Sequence, residues 1–181
     1  MKTVTAEKQR TDAALHLKRM TTAAVLAAMV TLTTAYILHI PVGVNGGYIH
    51  LGDALIYLAA SVLPLPYACA VGMLGGGLAD LLTAPMWAPS TMIIKALLCI
   101  PFSSKSSKIV TKRNVLALVV SGCITVAGYY LVQGILFGFT EVLWVSAVGN
   151  MVQAGGSAVV YFIFGTALDK MGFKKKFIQN A

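Results

Sequence analysis

The sequence predicts an all-α integral membrane bundle of six transmembrane helices with both termini cytoplasmic. Three observations predict it. Hydrophobic residues make up 57% of the 181-residue chain and charged residues only 11%, against about 25% charged in a soluble domain. So few polar groups cannot cover a globule, and lipid must serve as part of the solvent. The apolar residues fall into six runs separated by Pro, Gly or charge clusters. The 14 Lys and Arg residues gather at the ends of those runs rather than on a solvated face interleaved with aromatics, as membrane topology requires. The net charge of +8 therefore reads as anchoring near anionic lipid, not as nucleic-acid binding. The chain is expected to be a single membrane domain: a cytoplasmic lead-in over 1–18, the bundle over 20–169 and a cytoplasmic tail over 170–181.

Residues 1–18 are polar and basic and are expected to form a frayed or surface-lying lead-in. No small-residue cleavage site follows a short apolar region, so the first run reads as a retained span, not a signal peptide. That span, 20–40, is long enough to cross a core of about 30 Å. Its Ala23, Ala24, Ala27 and Ala28 form two interleaved small-xxx-small pairs. The stripe suits either another protein's helix or internal packing. Pro41, Gly43, Asn45, Gly46 and Gly47 make 41–48 a loop. The second span runs from residue 51 to Pro64-Leu65-Pro66 and the third over 67–83. Each is short, but joined they are far too long for one crossing at about 1.5 Å per residue, and two prolines interrupt them. The fourth span, 89–102, leads into Ser103-Ser104-Lys105-Ser106-Ser107-Lys108, then Lys112 and Arg113. The fifth is 115–137. A Gly138-Phe139-Thr140-Glu141 turn leads to the sixth, 142–168.

Charge sets the topology. Five Lys and Arg residues precede the first span, four follow the fourth, four follow the sixth, and only Lys95 lies elsewhere. The positive-inside rule puts all three clusters on the cytoplasmic side. Each pair of clusters must then be separated by an even number of crossings, which four spans and then two satisfy.

With that topology the intramembrane polar groups lie in the outer half: Tyr36, His39, Asp53, Asp80, Lys95, Tyr129, Tyr130, Gln133, Asn150 and Gln153. The inner half is expected to be almost wholly apolar. A channel or proton relay needs polar groups through the full depth. A one-sided cluster instead suggests a pocket open to the outside, in which Tyr48, Trp87 and Tyr129 stack on a flat ring while amides and an ion pair fix its orientation. Plainer readings stand beside this one. Asp80 and Lys95 either neutralise each other or touch a ligand. Asp53 follows a loop, and a helix N-cap is its plainer role. Trp87 and Tyr48 also suit an interfacial belt. Asn150 and Gln153, on one face at i, i+3, also suit interhelical bonding.

Several chemistries are excluded or weak. Gly75-Gly76-Gly77 has no following Lys-Ser/Thr and lies in a span, so helix packing is its reading, not phosphate binding. Cys69, Cys99 and Cys123 have no metal-ligand spacing and read as small hydrophobes. His16, His39 and His50 are scattered, and no nucleophile has a base nearby. No cofactor, metal or ATPase site is expected in this chain. Asp53, Asp80 and His50 are the only set a lipid-acting enzyme could use. A stand-alone secondary transporter would call for inverted repeats, which are not visible.

Tyr48-Ile49-His50-Leu51-Gly52-Asp53-Ala54 and Trp87-Ala88-Pro89-Ser90-Thr91-Met92-Ile93-Ile94-Lys95, with Ala79-Asp80 between them, resemble the substrate-binding S components of energy-coupling factor (ECF) vitamin transporters. The likeness is to the riboflavin-transporter-like branch, nearest its hydroxymethylpyrimidine and pyridoxine types. It implies a six-helix subunit of a bacterial plasma membrane that captures a vitamin from outside and carries no ATPase of its own. It also implies docking on a transmembrane coupling protein that carries two cytosolic ATPases, which use the ATP. The family's AxxxA docking motif matches Ala23/Ala27 and Ala24/Ala28, and its pocket-closing loop corresponds to 41–48. Substrate-binding residues expected here are Tyr48, Asp53, Asp80, Trp87, Lys95, Tyr129, Gln133, Asn150 and Gln153. Hydroxymethylpyrimidine or pyridoxine suits a small pocket of this composition, and riboflavin is the alternative.

Overall fold

A computed structural model describes the backbone over 2–37, 39–41, 48–139 and 142–179, and side chains over 9–37, 39–41, 48–139 and 144–177. The described residues are mostly helical, and among them four helices are long and apolar enough to cross a membrane. The elements in order are α1 (Lys2–Leu32), strands β1 (Ile40–Pro41) and β2 (Tyr48–Ile49), then α2 (Asp53–Val62), α3 (Leu65–Thr83), α4 (Ala88–Leu97), α5 (Lys112–Phe137), α6 (Val142–Lys170) and α7 (Phe173–Gln179).

All six predicted segments are helical, but α2 and α4 have only ten residues each. The cause is local. Leu63 is extended before Pro64, which cannot continue a helix, and α3 restarts with Pro66 inside its first turn. Beyond Leu97, α4 gives way to turns that run to Pro101. The lead-in continues the first helix, α1, which runs unbroken from Lys2. Residues 2–18 hold no Pro or Gly and several strong helix formers, Ala6, Glu7, Ala13, Ala14 and Leu15 among them. α1 ends in a π turn over Thr33–Ile37 and passes into a two-stranded antiparallel strap, Ile40 opposite Ile49 and Pro41 opposite Tyr48. The tail carries the short helix α7.

Side-chain contacts fix the helix directions. His16 bonds Tyr67 and Thr31 donates to the Gly75 carbonyl (3.0 Å), so α1 and α3 run the same way. Lys95 packs on Gly72 and Thr91 on Gly76, so α3 and α4 are antiparallel. Thr91 meets the Tyr129 hydroxyl (2.8 Å) and Ser121 donates to the Leu98 carbonyl (2.8 Å), so α4 and α5 are antiparallel too. Gln153 reaches Asp53 and Tyr161 reaches Ser61, so α2 and α6 are parallel. The six helices alternate in direction. Gly75 takes the backbone of Ala27 and the side chain of Val30 against it, while Gly72 and Gly76 take Lys95. The glycine run is thus a packing seam between α1 and α4, where a Cβ would collide.

At the end of the bundle holding the α4–α5 loop, polar residues flanking the expected spans fold inward and are paired. Asn114, fully buried, donates through Nδ2 to Ser61 Oγ and to the Ser103 and Ile109 carbonyls, and accepts from Ser103 N–H. Asp169 accepts from Ile109 and Val110 N–H (2.6 and 2.9 Å). Lys174 of α7 donates to the Ser61 carbonyl (2.6 Å) in the last turn of α2, where a cation complements exposed carbonyls. Lys18 donates to the Phe177 carbonyl (2.7 Å). Buried backbone must be paired, and an interhelical loop folded back into the bundle needs side chains to do it. Single-residue polarity does not reveal that need.

Candidate functional site

The strap, the turn before α4 and the adjoining ends of α3, α5 and α6 line a cavity that is open at its mouth. The strap contributes Tyr48, Ile49 and His50. α3 contributes Asp80, the turn before α4 Trp87, and α5 Tyr129 and Gln133. α6 contributes Val145, Ser146, Gly149, Asn150 and Gln153. Seven of the nine expected binding residues therefore line one space. The other two, Asp53 and Lys95, stand behind it.

Asp53 and Lys95 form the ion pair, Nζ to Oδ1 2.6 Å, with each side chain at most 1% exposed. Asp80 is not the partner of Lys95, and Asp53 is not an N-cap: Gly52 holds that position, without a side-chain cap. Asp53 sits in the first turn of α2, where the helix dipole favours a carboxylate. Its second oxygen accepts from Gln153 Nε2 (3.0 Å), and Gln153 Oε1 accepts from His50 N–H (3.2 Å). The pair thus anchors α4 and α6 to the start of α2 and fixes one wall of the cavity through Gln153. The Lys95 ammonium also lies 5.4 Å from the Tyr129 ring centroid. A buried charge is tolerable when paired and hydrogen-bonded in this way.

The Tyr48 hydroxyl donates to Asp80 Oδ1, tying the strap across the cavity to α3. Burial and the Asp80 carboxylate beside it raise the Tyr48 phenol well above its usual pKa, so it stays a donor. Its ring is stacked on His39 at 4.0 Å. His50 Nδ1 accepts from Gly52 N–H (3.1 Å), so the neutral ring carries its proton on Nε2. Burial, helped by the Lys95 charge, lowers the His50 pKa to about 3. Trp87 meets Tyr129 edge-on at 6.3 Å and Phe137 at 6.0 Å. An aromatic wall faces an amide-bearing one, a combination that can take a flat, polar-edged ring.

Sequence reasoning missed Ile49, His50, Val145, Ser146 and Gly149 as wall residues. The α6 set had a signal: 145, 146, 149, 150 and 153 repeat at helical spacing, so Asn150 and Gln153 already define that face. The loop expected to close over the pocket falls mostly on 42–47, outside the described residues. The alanine stripe divides. Ala23 and Ala27 are 8% exposed and pack inward on the α3 side, whereas Ala24 and Ala28 face outward.

A family model described as the S component of the ECF-type riboflavin transporter matches residues 14–170. A protein of Pyrococcus woesei, described as an uncharacterised protein in the gap 3′ region, is 30% identical over 137 residues, covering 70% of this chain and 90% of that protein. The family match takes in every element that builds the cavity, and the chain belongs to the S-component family of ECF-type transporters, membrane subunits that capture a vitamin for uptake.

Proposed function

We propose that this chain is the capture subunit of an ECF-type importer and that the cavity under the strap is its vitamin site. The observation that carries this is the convergence of Tyr48, Asp80, Trp87, Tyr129, Gln133, Asn150 and Gln153 on one space, from five separate stretches of sequence. Hydroxymethylpyrimidine or pyridoxine is the favoured ligand class. Riboflavin is the alternative, supported by the description of the matching family.

In this reading the six helices all cross the membrane, α2 and α4 as short spans, with both termini cytoplasmic. The alternating directions support it. So do contacts that bring Lys18, the 103–110 loop and α7 to one end, the end where the positive-inside rule would have them. The cavity then opens to the outside. Energy comes from a transmembrane coupling protein and two ATPases, with no ATPase site in this chain. Ala24 and Ala28, facing outward on α1, are the surface proposed to meet the coupling protein.

The experiment is thermal unfolding of the detergent-purified protein with hydroxymethylpyrimidine, pyridoxine and riboflavin in turn. A ligand present at about 100 times its Kd adds about 2.7 kcal/mol, so one of the three should raise Tm by several degrees. No shift with any of them would sink the vitamin-site reading.

A further inference from the structure

We infer that the site reads a hydrogen-bond donor edge on its ligand, an aromatic amine, through Asp80 and Gln133; this rests on the cavity being the vitamin site. Several polar groups around the cavity are already used. Gln153 is spent at both ends, on His50 N–H and Asp53. Asn150 Nδ2 is spent on the Ser146 carbonyl (3.0 Å). One buried acceptor is not served, and one buried carboxylate has no counter-charge. Gln133 is 2% exposed, and its buried Oε1 has no partner among the described residues. Asp80 is 4% exposed and accepts from Tyr48, but among the described residues no cation pairs with it. Lys95, the cation set within the helices, is committed to Asp53 at 2.6 Å.

A buried carboxylate without a counter-charge and a buried amide oxygen without a donor are both unfavourable. Both become favourable when a ligand supplies N–H groups. An amino group on an electron-poor aromatic ring does so, and a ring nitrogen beside it can share a proton with the carboxylate. A ligand bearing a carboxylate or phosphate at this edge would instead face Asp80 and be rejected. Of the two favoured ligands, hydroxymethylpyrimidine carries such an amine, with two N–H donors for the two acceptors, whereas each hydroxyl of pyridoxine donates only one.

The test is calorimetric titration of the purified full chain with hydroxymethylpyrimidine and with its counterpart bearing oxygen in place of the amine. The amine should bind tighter by about tenfold or more, the worth of a hydrogen bond to a charged group. Asp80→Asn and Gln133→Leu should each weaken the amine by a similar factor and narrow its preference over the oxygen analogue. Gln133→Leu should leave Tm of the empty protein unchanged or raised, since it removes an unserved polar atom, and it reports even if Asp80→Asn does not fold. Equal binding of the two ligands, or a preference intact in Gln133→Leu, overturns the inference. Riboflavin or pyridoxine binding that is abolished by Gly149→Trp, with the amine ignored, overturns the donor-edge inference and leaves the vitamin site standing. No binding of any of these ligands overturns both.

Discussion

Asp53 and Lys95 show what a sequence says about a single charge and what it withholds. A carboxylate or ammonium inside an apolar run marks a special place, and Asp53, Asp80 and Lys95 all stood out on that ground. Pairing is another matter. Asp80 is one helix hairpin away from Lys95 while Asp53 lies two helices back, and only the tertiary packing of the bundle selects Asp53, 42 residues away. Once that pair is made, Asp80 is left facing the cavity. Lys95→Met strands the Asp53 carboxylate and should lower stability by about 3 kcal/mol or more, seen as a large fall in Tm in detergent. Asp53→Leu with Lys95→Met removes both charges and should recover part of that loss. A double variant as unstable as the sum of the two single changes would show that the residues do not act as a pair.

Among the elements, α1 is where the structure most changes the meaning of the sequence. Ala23/Ala27 and Ala24/Ala28 have the same spacing, and nothing in either pair tells which face is covered. The answer comes from α3, whose Gly75 lets the Ala27–Val30 turn approach closely. Ala27→Trp is therefore a core substitution that should cost about 1–3 kcal/mol or more through overpacking, with loss of folded protein on size-exclusion chromatography. Ala28→Trp should spare folding and vitamin binding but abolish uptake when the coupling protein and ATPases are present. Unimpaired uptake in Ala28→Trp would remove this face from consideration as the docking surface. The short helices have a common cause. Pro64 and Pro66 announced the α2–α3 break, and Pro101, whose ring would clash with the carbonyl four residues earlier, fits the end of α4 at Leu97.

For the molecule as a whole, hydropathy and charge made the helical membrane class and the six segments legible, because lipid imposes those patterns residue by residue. Most of the cavity wall was legible too, since polar side chains between apolar spans are few. The opposite end was not. In sequence, Asn114, Asp169 and Lys174 look like ordinary flanking residues, and Ser61 and Tyr161 like isolated polar groups within apolar spans. They become a buried network only when the α4–α5 loop and α7 fold back on α2. The bundle thus has two polar ends, one closed around backbone and one open as a cavity, and the account rests on which of them faces out. Site-directed labelling in intact cells with a membrane-impermeant maleimide decides it, in a background where Cys69, Cys99 and Cys123 are replaced. Asn150→Cys should react from outside and be protected by bound vitamin, while Lys105→Cys should react only after lysis. Reaction of Lys105→Cys in intact cells, with Asn150→Cys silent until lysis, would contradict the account.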